Sequence, residues 1–153
     1  NVFETILAPM TGTAVAITEV PDPIFIEKIL GDGVAIVPTE GKVVSPVDGT
    51  VSKVAETGHI YAVTSDNGVE VVIHVGLETV ALNGKCFQIH VKEGDKVKAG
   101  DLLADVDLEF IKETGRNSIT PIVIGSSLEG KELVCEEGEV QAGKTVIIEI
   151  KQK

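Results

Sequence analysis

The sequence predicts an all-β fold of the sandwich or barrel type with little helix. Aromatic residues make up only 3% of the chain, whereas Val, Ile and Gly are plentiful, and this composition favours strands joined by tight turns. Short apolar runs, separated by turn residues, follow one another at the close spacing of a sandwich or barrel. Two pairs of segments also resemble each other along the chain. With 153 residues, the chain fits a single domain, 1–153, whose core needs neither a disulfide nor a metal.

Internal duplication is predicted from two sequence echoes. Residues 8–15 (Ala-Pro-Met-Thr-Gly-Thr-Ala-Val) return 37 positions later as residues 45–51 (Ser-Pro-Val-Asp-Gly-Thr-Val). Residues 93–100 return as residues 137–143 with one residue dropped. Pro-x-x-Gly-Thr and Glu-Gly-x-x-Val are also common turn chemistry, so chance recurrence is the alternative. We favour duplication of a strand-turn-strand unit.

Apolar runs bounded by turn residues predict the strands. They are residues 34–37, 43–54, 60–75, 87–91, 102–106, 121–124, 131–135 and 145–150, of which 60–75 forms a hairpin. Residues 107–115 predict the only helix of more than one turn. Asp107 can cap its start, apolar residues follow at helical spacing, and Gly115 can end it.

The segment 20–33 predicts an extended loop, because Pro21 and Pro23 stop any strand. Four apolar residues lie on this connection, namely Ile24, Phe25, Ile29 and Leu30. Two interpretations stay open for them. Either they are core staples beneath the loop, or they form an exposed apolar patch of the kind that marks a partner surface.

The charge and hydropathy of the chain exclude several classes of protein. A net charge of −11, with 13 basic residues scattered along the chain, argues against nucleic acid and favours a basic protein partner. No apolar run approaches the roughly 18 residues of a membrane span, and no signal segment is visible, so we expect a soluble cytoplasmic protein without membrane insertion. Cys86 and Cys135 lack the spacing of a metal site, which predicts two reduced and mostly buried thiols.

The predicted hairpin carries two of the three histidines, His59 and His74. A two-residue loop of Asp66 and Asn67 would place the two histidines directly opposite each other. A loop shifted by one residue would place Tyr61 opposite His74, with His59 still on the same face, one diagonal away. A three-residue loop would send the imidazoles to opposite faces. The favoured registers therefore bring the two rings within contact distance.

Four kinds of chemistry are compatible with paired histidines to different degrees. The sequence contains none of the HxH, HxxxH and HExxH motifs of zinc sites, which argues against a metallohydrolase. The Gly-x-Ser-x-Gly motif of serine hydrolases is absent from the sequence, and Ser65 lies in a polar turn, so nucleophilic hydrolysis is poorly supported. A lipoate or biotin carrier resembles residues 91–97, but such carriers present their lysine beside acidic residues or Met, and the only Met is Met10. The fourth kind is phosphoryl carriage.

Phosphoryl carriage fits the residues because a neutral imidazole is a nucleophile near neutral pH. A second imidazole can donate a hydrogen bond to the phosphoryl oxygens in the transition state, and the two titrations should be coupled. The chain has no Walker-type loop, so we expect a phosphoprotein donor and not a nucleotide.

At this point the sequence resembles a known family. The strongest resemblance is residues 74–84, His-Val-Gly-Leu-Glu-Thr-Val-Ala-Leu-Asn-Gly. Further matching segments are residues 8–12, 31–36, 45–50, 58–59 and 66–70. Together they resemble the glucose-class enzyme IIA domain of the bacterial phosphoenolpyruvate-dependent sugar phosphotransferase system. The resemblance covers nearly the whole chain and implies an antiparallel β-sandwich or flattened barrel with an internal repeat.

The resemblance also implies unequal roles for the site residues. His74 matches the histidine that takes a phosphoryl group on Nε2 from the phosphocarrier protein HPr, for delivery to a cysteine on an enzyme IIB domain of a sugar permease. His59 matches the auxiliary histidine that steadies the phosphoryl group, and Thr57 matches a hydroxyl that hydrogen-bonds within the site. The positions that match partner contacts are Asp22, Ile24, Phe25, Ile29, Leu30, Val72, Glu78 and Val80.

Some features depart from the family or stay open. Position 78 is Glu where many relatives have Asp, and Ala55 and Val72 stand where some relatives carry Phe, which affects the strength and choice of partner. No cofactor or metal is required, although in the family a zinc ion can bridge the two histidines to a partner's carboxylate. His90 is interpreted as a structural or surface residue.

The rival function is a regulatory binding module whose phosphorylation switches docking to other metabolic or transport proteins by adding charge. The sequence does not specify the sugar, although glucose or N-acetylglucosamine is the natural expectation.

Overall fold

The fold consists of antiparallel β-strands with two short α-helices. The computed structural model describes residues 2–153. The strands are β1 (Val2–Leu7), β2 (Gly12–Ala16), β3 (Gly33–Pro38), β4 (Lys42–Val44), β5 (Gly49–Val54), β6 (Ile60–Ser65), β7 (Glu70–His74), β8 (Phe87–Ile89), β9 (Lys96–Val97), β10 (Leu102–Val106), β11 (Thr120–Ile124), β12 (Lys131–Cys135), β13 (Gly138–Val140) and β14 (Val146–Gln152). The helices are α1 (Pro23–Ile26) and α2 (Leu108–Glu113), and two 3-10 turns span Ile17–Glu19 and Thr79–Leu82. The predicted all-β class is confirmed.

The strands form one large sheet and two small ones. The eight-stranded sheet has the order β13-β2-β3-β11-β7-β6-β5-β9, and the small sheets have the orders β1-β14-β12 and β4-β10-β8. Hairpins β2-β3 and β5-β6 lie on either side of the central pair β11-β7, and a short strand closes each end. The arrangement of the strands is therefore symmetric about the β11-β7 pair, as expected for two copies of one unit.

Hydrogen bonds between the two sequence echoes confirm the duplication. The Leu7 amide donates to the Pro46 carbonyl at 3.0 Å, and the Val44 amide donates to the Pro9 carbonyl at 2.8 Å. Because Val44 and Pro46 stand 37 positions after Leu7 and Pro9, each bond is the image of the other under the repeat. The two Pro-x-x-Gly segments thus pair with each other at the centre of the molecule.

The central strand β7 separates two apolar clusters by the alternation of its side chains. Val71 and Ile73 point into the main core, which also contains the buried side chains of β6, β11 and β14. Val72, on the opposite face, packs with a smaller cluster, which contains Ile17, Val20, Phe25, Ala35, Leu77, Ile119 and Val123. The smaller cluster holds the segment before β3 against the outer face of the large sheet.

Several predictions about individual elements need correction. The predicted strand 43–54 is two strands, because residues 45–48 leave one sheet and enter another. The proline segment is not wholly extended, since Asp22 caps a single helical turn that begins at Pro23. The predicted helix at 107–115 is confirmed as α2, with the Asp107 side chain accepting from the Phe110 amide. Cys86 is buried, but Cys135 is exposed, contrary to the prediction of two mostly buried thiols.

No helix within residues 2–153 is long and apolar enough to span a bilayer.

Gly12 and Gly49 occupy equivalent positions in the two repeats, and neither leaves room for a side chain. A Cβ at Gly49 would overlap the carbonyl oxygen of Thr64, and a Cβ at Gly12 would overlap that of Val37. We expect Gly49→Ala to lower the free energy of unfolding by about 1 to 3 kcal/mol, because the paired backbone must move. Urea unfolding followed by circular dichroism measures this.

Ser52→Ala, an exposed position on the same strand, is the control and should stay within about 0.5 kcal/mol of the unchanged protein. Equal stability of the Gly49→Ala protein and this control would contradict the packing described for β5 and β6.

Candidate functional site

His74 is the last residue of β7 and lies on the outer face of the large sheet. Its partner across β6 is Ile60, and the ladder continues to Thr64 opposite Glu70. This register leaves Asp66, Asn67 and Gly68 as a three-residue loop, so both of the favoured sequence registers are wrong by one residue. The Gly68 amide donates to the Ser65 carbonyl at 2.8 Å, with Gly68 at a φ of 89°. A glycine in the left-handed region allows the third loop residue.

The two imidazoles nevertheless meet, with ring centroids 5.6 Å apart and ring planes inclined at 81°. His59 precedes the first residue of β6, so strand alternation does not fix the direction of its side chain. Gly58 turns the chain there with a φ of 79°, and the Val75 amide donates to the His59 carbonyl at 2.7 Å. The predicted proximity of the rings is confirmed, but it depends on this turn and not on facing strand positions.

The His74 ring is oriented by one hydrogen bond. Its Nδ1 lies 2.7 Å from the carbonyl oxygen of Gly76. Because a carbonyl oxygen can only accept, Nδ1 must carry the proton. The neutral ring therefore carries its lone pair on Nε2.

The His59 ring is oriented by a hydroxyl instead. Its Nδ1 lies 2.7 Å from Thr57 Oγ1. A hydroxyl can either donate or accept, so this contact holds the ring in place without fixing which nitrogen carries the proton. Thr57 is therefore placed as predicted, beside the second histidine.

An apolar depression adjoins the His74 ring. Its volume is about 410 Å³, and its lining residues are Phe25, Leu30, Lys53, Ile60, Ala62, Glu70, Val72, His74, Val123 and Gly125. The ring of Phe25 meets that of His74 edge to face, with centroids 5.5 Å apart. Side chains from β6, β7 and β11 form its floor, because alternate residues of these strands point to the same face.

The geometry agrees with comparisons to known proteins. A family model described as phosphoenolpyruvate-dependent sugar phosphotransferase system, EIIA 1, matches residues 4–129. This chain belongs to that family. The chain is 47% identical over 151 residues to a PTS system glucose-specific EIIA component from Bacillus cereus, covering 98% of this chain and 92% of the relative.

Two further relatives set this EIIA chain in context. A PTS system N-acetylglucosamine-specific EIICBA component from Klebsiella pneumoniae is 43% identical over 151 residues, which is 98% of this chain but 23% of that relative. The solved structure of glucose permease IIA from Mycoplasma capricolum superposes with a TM-score of 0.89 at 36% identity, covering 95% of this chain and 94% of that one. The fold and the family are those that the sequence predicted. As a family member, this EIIA protein is a phosphotransferase component of sugar transport.

Burial favours the neutral form of both imidazoles of this EIIA protein. The pKa of His74 lies below its usual 6.5, chiefly because burial disfavours the charged ring. The hydrogen bond to Gly76 and the nearby charge of Asp22 raise the same pKa and offset part of that effect. The pKa of His59 is also lowered, first by burial, then by the charge of His74 and then by that of Lys53.

The predicted partner positions differ in how exposed their side chains are. Ile24, Ile29, Leu30 and Val80 are exposed by 42%, 67%, 51% and 49%. We call these four residues the apolar rim. Glu78 is also exposed, whereas Asp22 and Val72 are half-buried; Val72 lines the depression, and the charge of Asp22 acts on His74. Phe25 is only 3% exposed and supports His74, so it is the core staple among the four apolar residues of the proline segment.

Sequence reasoning missed two features of the site. Lys53 lines the depression from β5, at a position displaced by a bulge between Val51 and Lys53. Gly76 supplies the acceptor for His74, and its φ of 74° favours glycine. The Gly of the His-Val-Gly-Leu motif was a signal for the second feature, but no pattern indicates a bulge in advance.

His90 lies outside the site, where its Nε2 is 2.7 Å from Asp105 Oδ2.

Within residues 2–153, no group of three or more His, Cys, Asp or Glu side chains is arranged to hold a metal ion. His59 and His74 by themselves offer two imidazoles, fewer than the three or four ligands of a protein zinc site.

Electrostatic coupling of the two histidines can be measured directly. We expect His74→Gln to raise the pKa of His59, because it removes the second-largest cause of the lowering, and the pKa should still lie below 6.5 because burial persists. Lys53→Met should raise the pKa of His59 by less, since its charge is the third cause. Titration of the ring signals by NMR provides the values.

Lys92→Met is the matched control, because this exposed lysine is not among the groups that shift His59. An unchanged or lower His59 pKa in the His74→Gln protein would contradict the coupling.

Proposed function

We propose that this EIIA protein is a phosphocarrier that accepts a phosphoryl group from phospho-HPr on Nε2 of His74. It then delivers the group to the cysteine of an enzyme IIB domain of a sugar permease, acting in the cytoplasm. The observation that carries the proposal is the His74 Nδ1 contact with the Gly76 carbonyl at 2.7 Å, which leaves the Nε2 lone pair free in the neutral ring.

The proposed transfers balance without any further reactant. The Nε2 lone pair of His74 attacks phosphorus, a new N–P bond forms, and the N–P bond to the donor histidine breaks with its electron pair returning to that imidazole. In the second transfer, the thiolate of the enzyme IIB cysteine attacks phosphorus, an S–P bond forms, and the electron pair of the broken N–P bond returns to Nε2. The lowered pKa of His74 supports the first step, because a protonated ring has no lone pair on Nε2.

His59 has the geometry of a phosphoryl stabiliser. If the Thr57 hydroxyl donates to Nδ1, the neutral His59 ring carries its proton on Nε2 and can donate it to a phosphoryl oxygen. The ring lies beside that of His74, where the group would be held. Lys53 adds a positive charge to the wall of the depression and would favour a dianionic phosphoryl group.

Glucose is the proposed sugar, since the Bacillus cereus relative and the Mycoplasma capricolum structure both carry glucose in their names. N-Acetylglucosamine is the alternative, because the Klebsiella pneumoniae relative is named for it. The partner at the permease, not this site, would decide between the two sugars.

A second proposed function is regulation of other metabolic or transport proteins. The apolar rim (Ile24, Ile29, Leu30, Val80) is exposed, and Leu30 lines the depression beside His74. Phosphorylation of His74 would add about two negative charges there, so docking to the rim would respond to it. We also propose that His59 and His74 supply two ligands of a zinc ion in a complex. A partner's carboxylate would then supply a further ligand that this chain does not offer.

Phosphorylation tests the carrier proposal. On incubation with phosphoenolpyruvate, enzyme I and HPr, we expect the protein to gain one phosphoryl group that resists alkali and is lost in acid, as a phosphohistidine does. His74→Ala should abolish the adduct. His59→Gln should still form it but pass it to enzyme IIB about 100-fold more slowly, because one donor to the phosphoryl group is lost. Mass spectrometry and transfer assays measure both steps.

His90→Gln is the control and should behave like the unchanged protein, since His90 lies outside the site. An adduct that persists in the His74→Ala protein would refute the assignment of the acceptor. Full onward transfer by the His59→Gln protein would make His59 a structural residue.

The apolar rim can be tested separately from the chemistry. Ile29 is the most exposed of the four rim residues, so Ile29→Ser should leave the free energy of unfolding within about 0.5 kcal/mol. We expect it to lower kcat/KM for phosphorylation by phospho-HPr about tenfold through a higher KM, because apolar contacts with the partner are lost.

Leu102→Ser removes an exposed apolar side chain from a different sheet and should leave kcat/KM unchanged. Equal effects of the two substitutions would contradict a docking role for the rim.

A further inference from the structure

Residues 76–78, just after β7, are bonded to His74 at their first residue and to the segment that follows α2 at the other two. The Gly76 carbonyl accepts from His74 Nδ1, the Leu77 amide donates to the Asn117 carbonyl at 2.8 Å, and the Glu78 carbonyl accepts from Arg116 Nε at 3.1 Å. Residues 76–78 therefore lie between the reactive histidine on one side and residues 116–117 on the other.

Residues 116–117 are themselves anchored to the core by the end of α2. Gly115 has a φ of 79° and its amide donates to the Lys112 carbonyl, as in a helix C-terminal cap. The Arg116 amide donates to the carbonyl of Ile111, which is fully buried. The Arg116 side chain thus extends from a fixed backbone towards Glu78.

The conformation of residues 76–78 needs such support. Glu78 has a φ of 60°, in the left-handed region that a residue with a side chain rarely adopts. Gly76 is also left-handed, and a Cβ there would overlap the methyl group of Thr79. Glycine adopts this conformation readily, but Glu78 does not, so the conformation of the loop at Glu78 depends on contacts from outside it.

We propose that Arg116 is a positioning residue for His74, which acts by holding the Glu78 carbonyl so that the Gly76 carbonyl stays aligned with Nδ1 of the histidine. Loss of that alignment would let the His74 proton move between Nδ1 and Nε2, and the Nε2 tautomer has no lone pair to attack phosphorus. The effect on the histidine is independent of any partner, whereas its consequence for rate rests on the proposed phosphocarrier function.

Three substitutions separate the hydrogen bond from the charge. In glutamine, Nε2 follows Cδ as Nε does in arginine, so Arg116→Gln keeps a donor near the same place without charge. Arg116→Met keeps the length of the side chain without the donor. Arg116→Lys keeps the charge but has no donor at the position of Nε. Lys112→Met, on the last turn of α2, removes one positive charge nearby and is the control.

The direct readout is the tautomer of His74, measured from the nitrogen shifts of its ring above its pKa. We expect the unchanged, Arg116→Gln and Lys112→Met proteins to carry the proton on Nδ1. Arg116→Met and Arg116→Lys should show a population of the Nε2-protonated form. The pKa of His74 should also fall further in these two proteins, because the bond to Gly76 raises it.

The rate of phosphoryl acceptance from phospho-HPr should fall about fivefold in Arg116→Met and Arg116→Lys, the effect of one weakened hydrogen bond, through kcat rather than KM. Arg116→Gln should restore the rate. The positioning role is refuted if the Arg116→Met protein keeps both the tautomer and the rate of the unchanged protein. It is also refuted if the rates of the Arg116→Gln and Lys112→Met proteins fall by the same factor. If the unchanged protein takes no phosphoryl group, the proposed function fails, and the tautomer measurement still decides the role of Arg116.

Discussion

The antiparallel pairing of β7 with β11 is the interaction on which the rest of the structure depends. These two strands join the hairpins β2-β3 and β5-β6 into one sheet, and Ile73 lies opposite Ile122 where they meet. Both side chains are fully buried, so the centre of the sheet is fixed by packing as well as by its hydrogen bonds. His74 is the next residue after Ile73. The His74 ring is therefore attached next to a fully buried strand pair, while its side chain points away from the main core.

Two opposing effects on His74 explain why the site is built on the outer face. Burial lowers its pKa and keeps the ring neutral, whereas the Gly76 carbonyl favours the proton on Nδ1. A fully exposed histidine would be charged for about a quarter of the time at pH 7, and a fully buried one could not meet a partner. Phe25 provides the intermediate condition, because its ring covers one side of His74 and leaves the depression open on the other.

The sequence predicts the class of fold and the duplication, because both are carried by local pattern. The two histidines also meet as predicted, but through the turn at Gly58 and not through either favoured register. Pro-x-x-Gly-Thr recurs at a fixed distance, and the bonds between Leu7, Pro46, Val44 and Pro9 show what that recurrence forms. The hairpin register is different, since a loop of two or three residues is chosen by the conformation of Gly68 and not by its composition. Likewise, the burial of Phe25 beside exposed Ile24 depends on the direction of one helical turn, which its apolar neighbours do not reveal.

The two histidines have similar surroundings, and the atoms that contact Nδ1 make them unequal. His74 faces a carbonyl, which accepts only, so the proton of the neutral ring lies on Nδ1 and the lone pair lies on Nε2. His59 faces a hydroxyl, which donates or accepts with little movement, so its Nε2 can hold a proton when a phosphoryl group is present. A carrier must both accept and release its group, and one rigid and one adaptable imidazole suit these tasks. The resemblance to the family implies unequal roles for the two histidines, and the different contacts of Gly76 and Thr57 are a physical basis on which the proposed roles can differ.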